Sequence, residues 1–200
     1  DFTSVVLDPG GGDEATFAVA IHKVHTTDTD LRSIILFLRA AAVPSVGTYT
    51  VRLTVNAGAD CGFSVRALKG VKDEDPEATA SGEVTSDNVM QTEITTLTDD
   101  AWIFDSVVCS RDSSPAWTAD VGQTEEYDMA ASGHTEAGSY EEKASFGAET
   151  QGWTNARSDE NQSHALISLA PASGAAGDPE SSLIGGKLIG GGLLVKGRLV

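Results

Sequence analysis

Cysteine is scarce in this chain: two in 200 residues, Cys61 and Cys109. No Cys/His spacing of a zinc site occurs. The two thiols leave two options open, a disulfide between them or two buried thiols in apolar strand-like runs. No stretch carries the GxSxG elbow of a serine hydrolase, a P-loop or a dinucleotide fingerprint. The glycine triplets at 10–12 and 190–192 precede no helix of the kind a phosphate site needs. No apolar run is long and uninterrupted enough for a membrane span. No window has the period of an amphipathic helix. Together these gaps weigh against an enzyme and against a helical fold, and no cofactor is expected.

Bases are scarce too: 13 Lys and Arg against 30 Asp and Glu, a net charge of −17. The imbalance is uneven. Ten bases face all thirty acids before Ser181, a net −20, while the last nineteen residues hold three bases and no acid, a net +3. An acidic body repels nucleic acid and anionic lipid, so neither is expected as a partner. It suits a salty habitat or is an ordinary acidic surface. The chain opens at Asp1 with neither Met nor a secretory apolar segment. The natural N-terminus is therefore expected to be processed or to lie upstream.

What is present reads as strand. "TFAVAIHKVH" (16–25) alternates, with Phe17, Val19 and Ile21 on one side and Ala18, Ala20 and His22 on the other. "RSIILFLR" (32–39) is apolar throughout, which suits a strand buried on both faces. "TYTVRLTVNA" (48–57) puts Tyr49, Val51, Leu53 and Val55 inward and Thr50, Arg52 and Thr54 outward. "CGFSVRALKGV" (61–71) is a further strand. "VMQTEITTL" and "AWIFDSVVCS" stand either side of "TDD", a hairpin-like spacing. The polar stretch 123–152 predicts long loops around short strands. "SHALISLA" (163–170) closes the body. Many short strands with turn signals between them predict an all-β antiparallel sandwich or jelly roll.

The organisation that follows has three parts: a β-sandwich body over 1–171, a small-residue linker over 172–181, and a tail over 182–200. The tail, "SLIGGKLIGGGLLVKGRLV", is apolar, basic and interrupted by six glycines. Glycine costs about 1 kcal/mol against Ala within a helix, so extended strands with turns at the glycines fit better. Left exposed, its large apolar residues would be adhesive. Such a segment on a flexible linker reads as an assembly element, adding strands to a neighbouring sheet or intertwining with copies of itself. The residues expected to carry this are Leu183, Ile184, Leu188, Ile189, Leu193, Leu194, Val195 and Leu199.

Certain phrases of the body also carry a resemblance: "SIILFLRAAAVPSVGTYTVRLTV", "FSVRALKGVKDEDPEATAS", "GQTEEYDMAASGHTEAGSYEEKA" and "SHALISLAP". These resemble a β-sandwich, jelly-roll-like domain family of phage virion proteins and bacterial secreted or surface proteins, over about 1–171. The resemblance implies a structural or adhesive module without enzymatic activity.

Other candidate chemistry is weak by comparison. His22 and His25 lie three apart, on opposite faces of a strand, and read as an ordinary surface pair. His134 falls in a polar loop and His164 opens the last strand of the body. Asp28–Asp30, Asp73–Asp75 and Asp99–Asp100 offer oxygens for calcium, but no known loop pattern surrounds them. Trp102 sits mid-strand as core. Trp117 and Trp153, nearer loops, are the residues expected to stack on glycan rings.

Tail and resemblance together predict a non-enzymatic structural component of a virus particle, a phage head decoration or a tail or neck fibre protein. It would display a β-sandwich at the virion surface, outside any cell, and be anchored through its C-terminal tail. Its expected partners are sister subunits in a homo-oligomer, for instance a trimer, other virion proteins, and host-surface glycans. The alternative is a carbohydrate-binding or adhesion module of a secreted bacterial protein.

Overall fold

A computed structural model describes residues 2–8, 14–43, 49–55, 62–110, 117–131, 134–172, 182–183 and 193–199. The described chain is all-β, with antiparallel pairing throughout and a single 3₁₀ turn at Ala40–Ala42. The strands form four sheets. The first has the order β2 (Ala15–Thr16), β1 (Phe2–Asp8), β5 (Thr50–Val55). The second runs β15 (Ser182–Leu183), β6 (Phe63–Ala67), β16 (Leu193–Leu199), β4 (Arg32–Leu38), β3 (Ala18–Val24). The third runs β11 (Thr124–Ala131), β12 (His134–Lys143), β9 (Ala101–Cys109), β14 (Glu160–Leu169), β7 (Ala78–Asp87). The fourth runs β10 (Trp117–Ala119), β13 (Gly147–Asn155), β8 (Val89–Thr96).

Side-chain parity stacks these sheets in that order. Ile34, Leu36 and Leu38 of β4 point to the first sheet, where they meet Val5, Leu7, Val51 and Leu53. Ile35 and Phe37, on the other face of β4, meet Trp102, Phe104, Ala165, Ile167 and Leu169 of the third sheet. The opposite parity of β9 and β14 faces the fourth sheet. Val107, Cys109 and Ala137 pack on Met90, Trp117 and Trp153, and Ile103 and Leu166 on Ile94. Strands with a sheet on either side are buried on both faces, which favours apolar residues on both. This explains the continuous apolar runs of β4 and β9, both foreseen as strands. β5 alternates as expected, with Tyr49, Val51 and Leu53 half-buried and Thr50, Arg52 and Thr54 exposed.

Three local expectations are corrected. The stretch 123–152 is not loop around short strands but most of β11, β12 and β13. Its backbone groups bond across the ladder whatever the side chains are, and the polar side chains find partners inside. The segments around "TDD" are not a hairpin, because β8 and β9 lie in different sheets. β8 buries alternate residues only, as an outer strand does, whereas every residue of β9 is buried. Residues 97–100 therefore step between layers, with Asp100 at φ 56°. In β3 a bulge between Val19 and Ile21 breaks the alternation. Phe17 is buried and Ile21 packs on the core, but Val19 is 48% exposed.

Candidate functional site

Trp117 and Trp153 are not surface residues. They are 3% and 0% exposed and meet edge to face, with centroids 6.2 Å apart. Both ring faces lie between the third and fourth sheets, so the expected glycan-stacking surface is corrected: neither ring is open to a sugar. Trp102 is buried as core, as expected.

The densest chemical cluster lies in the same layer and centres on Asp105, at 0% exposure. A carboxylate in "AWIFDSVV" would be costly without partners. Its Oδ1 accepts from the Ser139 backbone N–H at 2.6 Å and the Ser139 hydroxyl at 2.9 Å. Its Oδ2 accepts from Trp153 Nε1–H at 2.7 Å, Gln123 Nε2–H at 3.2 Å and His164 Nε2–H at 3.2 Å. The other nitrogen of His164, Nδ1, lies 3.0 Å from the Thr92 hydroxyl. Gln123 in turn accepts from the Gly152 N–H at 2.7 Å, tying β13 to the turn before β11. Backbone space is tight as well: a Cβ on Gly82 would lie 2.4 Å from Thr92 Oγ1.

Thr92, His164 and Asp105 stand in the hydroxyl–imidazole–carboxylate order of an acyl-transfer triad. The surroundings enclose that order. Asp105 and His164 are fully buried and Thr92 is 7% exposed. The carboxylate is shared among donors from β12, β13 and β14 and the turn before β11. The cluster can hold the third and fourth sheets in register. The signal for it was in the sequence, a lone Asp inside an apolar strand, and the reading of loops and motifs passed over it.

A second polar seam lies between the second and third sheets. Arg66 of β6 pairs with Glu126 of β11 and stacks on Tyr140, its guanidinium 4.7 Å from the ring centroid. Burial lowers its pKa. His134 and Glu136 share one face of β12, and both are 1% exposed. Among the described residues neither side chain has a hydrogen-bond partner. The Glu136 carboxyl lies against Gly62, where a Cβ would be 2.1 Å from Oε1. Burial pushes the Glu136 carboxyl up to about 7. Burial, and then the Glu136 carboxylate, raise the Tyr127 phenol. His134 was expected in a loop; it opens β12 instead.

His22 is exposed, but His25, expected beside it at the surface, is fully buried. Its Nδ1 accepts from the N–H groups of Thr27 and Asp28, and its Nε2–H donates to the Val84 carbonyl at 3.0 Å. It clasps the edges of the second and third sheets. The aspartate clusters are engaged locally. Asp73 accepts from the N–H groups of Ala40 and Ala41, Asp75 pairs with Arg39, and Asp99 accepts from the Phe146 N–H. Among the described residues no group of three or more His, Cys, Asp or Glu is placed to hold a metal ion. Cys109 is a buried free thiol 2.9 Å from the Thr135 hydroxyl. Cys61 lies outside the described residues.

The tail is the remaining feature. Leu183 lies on β15, and Leu193, Leu194, Val195 and Leu199 lie on β16, while Ile184, Leu188 and Ile189 fall outside the described residues. β16 occupies the middle of the second sheet. Its register runs Leu193 to Leu38 and Leu199 to Arg32 on one side, and Leu193 to Ala67 and Gly197 to Phe63 on the other. Among the described residues β4 and β6 are joined only through it. No helix among the described residues is long and apolar enough to cross a membrane. No protein-family model, curated protein or solved structure matches the chain significantly.

Proposed function

We propose that this chain is a non-enzymatic structural protein that builds an extracellular particle and is joined to sister copies through its C-terminal segment. The setting implied by the resemblance is a phage virion, with the stacked sheets displayed on a head, neck or tail. One observation carries the reading: the last strand, β16, completes the centre of a sheet, and residues 173–192, rich in Gly, Ser, Ala and Leu, separate it from the body. A central strand delivered from the end of a long tether is the arrangement by which subunits lock together. The buried Thr92, His164 and Asp105 favour cohesion over catalysis. With Trp117 and Trp153 buried, nothing specific favours the glycan-binding alternative.

Sedimentation of the purified full chain tests the proposal. A mass that is a multiple of 20.7 kDa, together with regular particles in electron micrographs, is the expected result. A single-chain mass at concentrations up to about millimolar, where tethered and free strands compete, would overturn it.

A further inference from the structure

We infer that the gap between β4 and β6 is an acceptor slot for the C-terminal strand of a second copy of this chain. The inference rests on the assembly reading above and adds its mechanism. The slot is defined by register. β4 and β6 are both antiparallel to β16, and nothing else in the described chain joins them. Without β16 each strand presents a row of backbone donors and acceptors to a gap one strand wide. The occupant therefore has to be an extended segment with the registry of 193–199.

Tether length allows that segment to come from a neighbour. Ala172 is fixed beside β6, its N–H donating to the Gly70 carbonyl at 2.7 Å. From there to Ser182 are ten residues, a reach of at most ~35 Å. A folded chain of this length has a radius of gyration near ~16 Å. The tether is longer than that radius, so it can carry the strand past the surface of its own body into a touching subunit. Charge points the same way: a segment of +3 leaves a body of −20 and meets another such body.

Energetics decide when exchange occurs. The same backbone bonds form whichever copy supplies β16, so the two arrangements differ mainly in entropy. A tethered strand competes at an effective concentration of about millimolar. Copies packed in a shell or fibre reach that range, whereas a dilute chain fills its own slot. Donation to a neighbour is head-to-tail, so it gives a closed ring or an open filament according to the rotation per step.

Cross-strand cysteines read the outcome. Lys196 faces Ser64 across β16 and β6. Directly opposed antiparallel residues have Cα atoms ~4.5–5.5 Å apart, within disulfide reach. The test uses full-length chains in which Cys61→Ser removes a competing thiol. Chains carrying Ser64→Cys and chains carrying Lys196→Cys are co-expressed, assembled and oxidised. Exchange predicts a disulfide between the two substituted positions, identified by peptide mass, in a band at twice the single-chain mass. A chain carrying both substitutions should give the same bond within one chain when dilute. The pair Phe63→Cys and Gly197→Cys repeats the test at the next register position. Assembly of normal mass without interchain disulfides in either pair overturns the exchange and leaves the assembly reading standing. A chain that stays single at every concentration overturns both. Loss of the bond even within the doubly substituted chains overturns the slot itself.

Discussion

Glu136 has both carboxylate oxygens buried and, among the described residues, unpartnered, which makes its proton a stability term. Its ordinary value is 4.5 and its folded value about 7, raised by burial. Between these the unfolded chain has released the proton and the fold still holds it. Stability is therefore fully present below 4.5, falls as pH rises, and is lost above about 7, a difference on the order of 3 kcal/mol. Tyr127 and His134 share its surroundings. Glu125, Asp128 and Glu141 are also raised by burial and slope the same way. The comparison that isolates Glu136 is Glu136→Gln against the parent in urea titrations at pH 5 and pH 8. The parent should lose markedly more stability between the two than the variant. Equal losses would show that Glu136 finds a partner or water when charged. Asp105 is the contrasting case: equally buried, but with its oxygens shared among five donors.

At the scale of elements, polar residues make central strands when the ladder and its neighbours satisfy them. β12 is buried from His134 to Ser139, with Thr135 against Cys109 and Ser139 against Asp105. β16 raises the opposite problem, because what it supplies is position. Removing residues 182–200 would leave β4 and β6 without their shared neighbour. Unpaired central edges are templates for aggregation. The truncated chain should melt about 10 °C lower, at roughly 2–4 °C per kcal/mol for this length, and scatter light on standing. A peptide spanning 182–200 should reverse both effects. A truncated chain that melts like the parent would mean the sheet closes without β16.

At the scale of the molecule, the four sheets pack on one another through separate apolar clusters. The junction between second and third sheets is the one that decides cooperativity. It is lined by Ile35, Leu68, Trp102, Phe104, Ile167 and Leu169, and bolted by Ser33, whose hydroxyl donates to the Ser106 carbonyl at 2.7 Å. His25 and the Lys23–Glu83 pair clasp its edge. An apolar interface of this kind couples the two halves of the stack. Scanning calorimetry should show one unfolding transition. Two resolved transitions would mean that the first and second sheets unfold separately from the third and fourth.

Alternation and apolar runs in the sequence determined the class of fold and most strands. β4, β5 and β14 were legible because strand periodicity records, residue by residue, which faces must leave water. The unusual character of the tail was legible from composition alone. Partnership was not. Backbone hydrogen bonds are alike between any two strands, so no local pattern says that β8 leaves β9 for β13, or that 123–152 pairs as a ladder. Burial at a given residue was decided the same way: Trp117 and Trp153 look like loop-side rings until the third sheet covers them. The candidate site divides along this line. An Asp inside "AWIFDSVV" announced a need for partners, but only packing could name Ser139, Trp153 and His164. The tail announced a need for a sheet, and only the order of strands decided that β16 lies between β4 and β6, because a place in a sheet is a property of neighbours and not of sequence.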